Sequence, residues 1–389
     1  MLKFTINAKE LRNLVNCVAT AIDKKSYMLP LRAIYFQIDE SGKLKIFGTN
    51  IEQWLEVRTD LIWDTEPGVF GIDNDDMKII LKMSESINFE DITKDKDEKI
   101  AVKCGKRELT VEKVNNIDFF LPSMDNTEEI VLETTEFWMY NTISSLANFT
   151  ANRDNSNMLM HCINFNTKKE RVTSLDGHRM AMRKIKGQKI CSTYEHINVN
   201  ADFAVPVLKA VLDKKNNDNK KALLSVDKKW IKISGLDFTY MIKKTDGEYF
   251  KVDQMIPDCD DYSFKANTEK LLDTMKYNAD LINKEKVPVV FHPVDGKLYS
   301  YTKVPKYEVC EELEVQNLKM NAELYIAFNP HYWVDALSMA DTDEVEICGK
   351  NAVSPVMIYG NEYSFLILPV HINTVSFIDN MKKRLDRVV

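Results

Sequence analysis

No apolar run in this 389-residue chain approaches the length of ~20 residues that a membrane-spanning helix needs. The phosphate-binding GxxxxGK[ST] loop is missing, as are a GxGxxG after a strand and an HExxH pair, so the commonest nucleotide and zinc-hydrolase signatures are absent. The six histidines, at 161, 178, 196, 292, 331 and 371, show no metal-ligand spacing, and no cofactor is expected. Cysteine is sparse and scattered: seven residues, at 17, 104, 162, 191, 259, 310 and 348, with no CxxC. An odd, dispersed set reads as reduced thiols of a cytoplasmic protein, against a disulfide framework or zinc. Positive charge is short as well. Lys and Arg total 52 against 59 Asp and Glu, a net charge of −7, which argues against nucleic-acid binding by bulk attraction but leaves room for one basic surface. The start, Met1-Leu2-Lys3-Phe4-Thr5, reads directly into a strand with no signal-peptide pattern.

What is present is a recurring module. From Phe4 to Lys25 a short strand leads to a polar cap at Asn7 and then an amphipathic helix. Leu11, Leu14, Val15, Val18 and Ile22 form its apolar face, and Lys24-Lys25 are expected to close its last turn. The same strand, cap and helix recur with caps near 73, 135, 200, 267 and 329, a spacing of roughly 62 to 67 residues. In the fourth copy Pro206 is expected in the first turn or at the helix start, and in the sixth Asn329-Pro330 forms a cap followed by proline. The stretches Asp118-Phe119-Phe120-Leu121-Pro122 and Tyr249-Phe250 through Ile256-Pro257 look like matching junctions after every second copy. They divide the chain into three α+β domains of two modules each, at 1–125, 126–257 and 258–389.

Three layered domains in a row form an arc whose free sheet edges invite pairing with a second chain. Lys106-Arg107 lie at one candidate edge, and Glu308, Glu311, Glu312 and Glu314 crowd the other, favouring head-to-tail closure. Catalysis is the weaker reading. His161-Cys162 and Asp176-Gly177-His178 resemble parts of nucleophilic sites, but Cys162 reads as an inward strand residue. Asp73, Asp75 and Asp76 are explained as first-turn helix acids.

The stretch Thr173-Ser174-Leu175-Asp176-Gly177-His178-Arg179-Met180-Ala181, together with Gln254-Met255-Ile256-Pro257 and Leu366-Ile367-Leu368-Pro369-Val370, resembles the bacterial sliding clamp family, the beta subunit of DNA polymerase III. The resemblance spans Met1 to about Ile372. It implies a non-catalytic, cytoplasmic homodimer that rings duplex DNA without regard to sequence. Its partners would be the DNA polymerase alpha subunit, the clamp loader and repair polymerases, bound through short linear peptides, with no membrane association.

Carried over by position, the peptide pocket would comprise Leu159, Leu175, Gly177, His178, Arg179, Met180, Phe250, Gln254, Met255, Pro355, Leu366, Leu368, Pro369 and Val370. His178 and Arg179 would orient the peptide at its rim. Leu175, Phe250 and Gln254 stand where the family commonly has threonine, proline and a basic residue, making this pocket bulkier and less polar. DNA contacts would fall to Lys24, Lys25, Arg153, Lys209 and Lys214, while Asn157 and Met158 replace an aromatic pair seen in some members. The joint between chains would use Ile80, Lys106, Arg107, Leu109, Leu271, Leu272, Glu311, Glu312 and Glu314. Residues 373–389 form an added tail, with Phe377, Ile378, Met381, Leu385 and Val388 at amphipathic-helix spacing, expected to pack on the third domain near the pocket mouth. A monomeric peptide-binding scaffold, a divergent clamp paralogue, is the alternative.

Overall fold

A computed structural model of the chain describes residues 2–39, 42–94, 97–115, 121–122, 125–212, 220–282, 287–371, 381, 383 and 384. The helices are α1 (Ala8–Val18), α2 (Leu29–Arg32), α3 (Asn74–Ile80), α4 (Glu136–Leu146), α5 (Ala201–Val211), α6 (Thr268–Ile282) and α7 (Pro330–Met339). Every helix except the short α2 starts at an expected cap. The side chains of Asn7, Asp73, Asn200 and Asn329 accept from the backbone N–H two residues on. Thr135 Oγ1 accepts from Trp138 N at 3.1 Å and Asn267 Oδ1 from Lys270 N at 3.0 Å. Each such bond satisfies a donor that a helix start leaves open, which is why these residue types mark the starts.

Two helix expectations fail. α1 ends at Val18, so Lys24 and Lys25 lie in the loop beyond it and not in its last turn. The Thr20 hydroxyl donates to the Cys17 carbonyl at 2.6 Å, a local side-chain bond that competes with continuation of the helix. Pro206 lies inside α5, beyond the first turn. Its missing N–H removes one intrahelical bond there, a loss the buried face formed by Ala204, Val207 and Leu208 offsets.

By contact the chain forms two compact units, residues 1–144 with 187–246, and 145–186 with 247–389. The first contains a five-stranded antiparallel sheet in the order Ile62–Glu66, Lys3–Asn7, Ser86–Asp91, Lys99–Cys104 and Arg107–Glu112. Its larger sheet has nine strands and includes the pairing of Gln53–Thr59 with Phe238–Lys243. Phe4, Phe36, Phe70 and Phe89, all buried, pack with ring centroids 4.9 to 6.3 Å apart.

In the second unit the strands Cys162–Asn166, Arg171–Leu175, Arg179–Lys184, Tyr363–Ile367, Val356–Tyr359, Glu344–Gly349, Tyr262–Asn267 and Val315–Lys319 run side by side. A four-stranded sheet follows the order Glu308–Leu313, Lys297–Lys303, Val289–Val294, Ile326–Phe328. Phe264, Phe291, Phe328 and Trp333 make its aromatic core, centroids 5.2 to 6.5 Å apart. Sheets continue across the expected boundaries at residues 125 and 257: Phe238 pairs with Val57, and Met180 with Leu366. Of the expected junctions, residues 118–120 lie outside the described residues.

The cysteine expectation is overturned. Cys259 and Cys348, 89 residues apart, are joined by a disulfide with Cα atoms 5.2 Å apart. The pairing of Ser263 with Cys348 carries the chain just before Tyr262 alongside the strand that holds Cys348, a proximity that linear spacing cannot reveal. Cys162, by contrast, is fully buried as expected of an inward strand residue.

Candidate functional site

The second unit holds an apolar cavity of about 340 Å³, built on a hairpin. The strands Arg171–Leu175 and Arg179–Lys184 are joined by Asp176-Gly177-His178. Asp176 Oδ1 accepts from His178 N at 2.9 Å and Arg179 N at 3.0 Å, closing the turn with a side chain. Gly177 has φ +90°, and a Cβ there would meet nothing closer than 3.8 Å, so backbone conformation and not space requires glycine.

Register then sets the cavity floor. Leu175 pairs with Met180, Met180 with Leu366, Leu366 with Met357, and Met357 with Cys348. Directly paired residues project to the same face, so these side chains form one row across five strands. They share a buried cluster with Cys162, Met182, Tyr249 and Val252. The far wall is the segment after Tyr249: Phe250 and Met255 line the cavity, and Tyr249 and Phe250 meet edge to face at 5.1 Å. Leu368 closes one side, its N–H donating to the His178 carbonyl at 2.9 Å.

Leu175, Gly177, His178, Arg179, Met180, Phe250, Met255, Pro355, Leu366 and Leu368, all expected, line this one cavity. Leu159, Gln254, Pro369 and Val370 do not. Leu159 packs on the cluster beneath, within 3.3 Å of the position a Cβ on Gly247 would take, and Met160 lines the cavity in its place. The 3-10 turn Met158–His161 rotates successive side chains by about a third of a turn, so spacing alone did not choose between the neighbours. Val370 is 40% exposed, and its N–H donates to the Ala327 carbonyl.

Arg179, which lines the cavity as expected, is held by partners within the chain. Its Nε donates to Asp176 at 2.9 Å, its Nη2 to the Asn148 carbonyl at 2.9 Å, and its Nη1 to Asp335 on α7. The guanidinium also lies 4.8 Å from the ring centres of Phe149 and Tyr332. Burial opposes its charge, but hydrogen bonds to Asp335 and Asp176 outweigh that and raise its pKa above the ordinary arginine value. Two carboxylates thus face one guanidinium, so the group as a whole is net negative beside the cavity.

Of the expected DNA contacts, Lys24, Lys25 and Lys209 are exposed in the first unit and Arg153 in a turn of the second. Lys214 lies outside the described residues.

The expected joint falls on two outer strands. Arg107 and Leu109 are on Arg107–Glu112, with Lys106 in the turn before it. Ile80 is fully buried in its own unit and so is no contact for a second chain; Ile79, 52% exposed, is the outward apolar residue of α3. On the other edge, Leu271, Glu311, Glu312 and Glu314 line a cavity of about 270 Å³ between α6 and Glu308–Leu313. Leu271 is buried at its base and Leu272 is partly exposed. The acids there are partly occupied: Glu311 accepts from Thr274 Oγ1 at 3.1 Å, Glu312 from Lys297 at 2.9 Å, and Glu314 from Lys270.

Of the tail, Met381 packs on the expected third domain, away from the expected pocket mouth. Met381 is buried with Val290, Tyr299, Tyr301 and Ala327, none of which lines the apolar cavity. Phe377, Ile378, Leu385 and Val388 lie outside the described residues. Among the described residues no group of three or more His, Cys, Asp or Glu is arranged to hold a metal, and no helix is long and apolar enough to cross a membrane.

Comparison with known proteins gives a consistent result. Residues 253–373 match the family model described as DNA polymerase III beta subunit, C-terminal domain. The beta sliding clamp of Pseudomonas aeruginosa is 22% identical over 377 residues, covering 95% of this chain and 100% of that protein. The Haemophilus influenzae beta sliding clamp is 23% identical, with coverage of 95% and 100%. The DNA polymerase sliding clamp of Bacillus subtilis superposes with a TM-score of 0.82 at 18% identity, over 95% of this chain and 99% of that one. The DNA polymerase beta subunit of Streptococcus pyogenes gives 0.80 at 18% identity, over 95% and 100%. The chain thus resembles DNA polymerase III beta subunits, and it has their fold.

Proposed function

We propose that this chain, built on the fold of DNA polymerase III beta subunits, is a sliding clamp: a homodimer that encircles duplex DNA and tethers polymerases through its apolar cavity. The observation that carries the reading is the sixfold repetition of a strand, a side-chain cap and a helix. Two modules fall in each of the proposed domains 1–125, 126–257 and 258–389, so two chains would supply twelve helices to line a ring.

Closure would pair the outer strand carrying Arg107 and Leu109, flanked by Lys106 and Ile79, with the opposite edge of a second copy at Leu272, Glu311 and Glu314. Lys24, Lys25, Arg153 and Lys209 would touch phosphates too weakly to grip them, so the ring slides and is retained by enclosure. The apolar cavity would take leucine and phenylalanine side chains of short peptides from the polymerase alpha subunit, a clamp loader and repair polymerases. The reading calls for no bond-making step by this chain; opening the ring falls to a nucleotide-driven partner.

A monomeric scaffold is the second reading, favoured by the pairing of Glu312 with Lys297 and Glu314 with Lys270 inside one chain, which weakens the acidic edge. The mass in solution separates the two readings. The clamp requires about twice the 45.0 kDa of one chain, and the scaffold requires one chain's mass. On loaded circular DNA the clamp resists a salt wash and is lost when the circle is cut; retention on the linear product would refute enclosure.

A further inference from the structure

We propose that the Cys259–Cys348 disulfide is a latch on one wall of the apolar cavity, so that its thiol–disulfide state sets how firmly that wall is held. The functional consequence rests on the peptide-binding reading of the cavity. Cys348 is the fifth member of the cross-strand row that begins with Leu175 and Met180, and it belongs to the same buried cluster. Cys259 ends the segment that brings Phe250 and Met255 to the cavity. The bond therefore ties the segment that forms the cavity wall to a strand two places beyond that of Leu366, in the sheet that carries the cavity floor.

Apart from the disulfide, that wall is held by apolar packing of Phe250, Val252 and Ile256 on the buried cluster and by one ion-paired turn. Between Phe250 and Cys259 the regular structure is one 3-10 turn, Val252–Gln254, with Val252 buried beneath it. Asp253 on the turn pairs with Arg171 and, at 3.5 Å, with Lys169. Beyond it Met255 is 39% exposed, Ile256 packs on the cluster, and Asp258 meets Lys350 at 3.7 Å in an exposed pair of the kind worth little. With the disulfide formed, the stretch from Gln254 to Asp258 is fixed at both ends. With it reduced, the Asp253 end remains and Met255 is freer to leave the wall.

Cys259 is partly exposed while Cys348 is buried, so a reductant reaches Cys259 first. A thiolate of a dithiol attacks Cys259 Sγ. The Cys259–Cys348 bond breaks, a mixed disulfide forms, and the Cys348 thiolate takes a proton. The dithiol's second thiolate then attacks its own sulfur in the mixed disulfide, releasing Cys259 as a thiol and leaving the reductant as a cyclic disulfide. Two electrons and two protons pass to the protein.

The full chain is compared after oxidation by diamide and after reduction by dithiothreitol, with the Cys259–Cys348 linkage verified by differential alkylation and mass spectrometry. Amide exchange of 250–258 is expected to be about tenfold faster in the reduced form, with 171–184 unchanged. A fluorescein-labelled pentapeptide ending in leucine and phenylalanine is expected to bind about three- to tenfold more weakly to it. Cys259→Ala should behave as the reduced form in either buffer; if it fails to fold, the wild-type comparison decides alone. Equal exchange in the two forms, or failure of the pair to bridge on oxidation, overturns the latch. If the peptide binds neither form while exchange still differs, the latch stands and the peptide-binding reading falls. If it binds both forms equally, the wall does not govern the cavity and the proposal is lost.

Discussion

Replacing Leu368, at the side of the cavity, with alanine separates the cavity's contribution to binding from its contribution to folding better than replacing a residue of the floor. Met180 is 2% exposed, and truncating a side chain so enclosed costs roughly 2 to 5 kcal/mol of stability, which confounds any loss of affinity. Leu368 is only partly buried, and its backbone is pinned by the bond from its N–H to the His178 carbonyl, which alanine keeps. The change removes three carbons at about 0.8 kcal/mol per buried CH₂. Most of that is lost from the fold, about 1 to 2 kcal/mol, seen as a drop of a few degrees in melting temperature. The part a peptide would cover is roughly 1 kcal/mol, an affinity loss of about fivefold. Fluorescence anisotropy with the labelled pentapeptide reads the second quantity, and a thermal melt with sedimentation reads the first. An unchanged dissociation constant in a variant that melts a few degrees lower would refute the assignment of this cavity.

Further outcomes follow from charge. Asp335→Asn leaves Arg179 with one carboxylate partner, and the loss of a negative charge beside the cavity should raise affinity for a pentapeptide carrying an aspartate by about fivefold relative to its asparagine analogue. An equal ratio in wild type and variant would mean that the arginine does not face the ligand. Glu133 is held at a pKa of about 2 by hydrogen bonds from Lys221 and Lys189. A depressed carboxylate stabilises the fold above its unfolded value and loses that contribution as pH falls through its folded one. Glu133→Gln should therefore melt below wild type at pH 7 and converge with it near pH 2; a gap that persists in acid would contradict the linkage.

The features legible in the sequence are those set by neighbours a few residues away. Asn7, Asp73, Asn200 and Asn329 cap helices because the donors they satisfy lie two positions on. The Asp176-Gly177-His178 turn is likewise local, and it fixes where Leu175 and Met180 meet. The joining of Met180 to Leu366 depends on strands that are far apart in the chain, and only the family resemblance placed those residues together. The disulfide had no sequence signal for the same reason. Ile80 came to the joint only with the family resemblance, whereas helical spacing puts it with Met77 on the inner face, where both are buried.

The row from Leu175 to Cys348 also bears on how such a cavity drifts between lineages. Adjacent strands fix the spacing of these side chains, so the volume available to one is set by the next, and substitutions along the row will not act independently. A bulky leucine at 175 survives only in company with accommodating neighbours at 180 and 366. Relatives should thus exchange these residues in matched sets, and grafting one of them alone into another lineage should cost more than grafting the whole series.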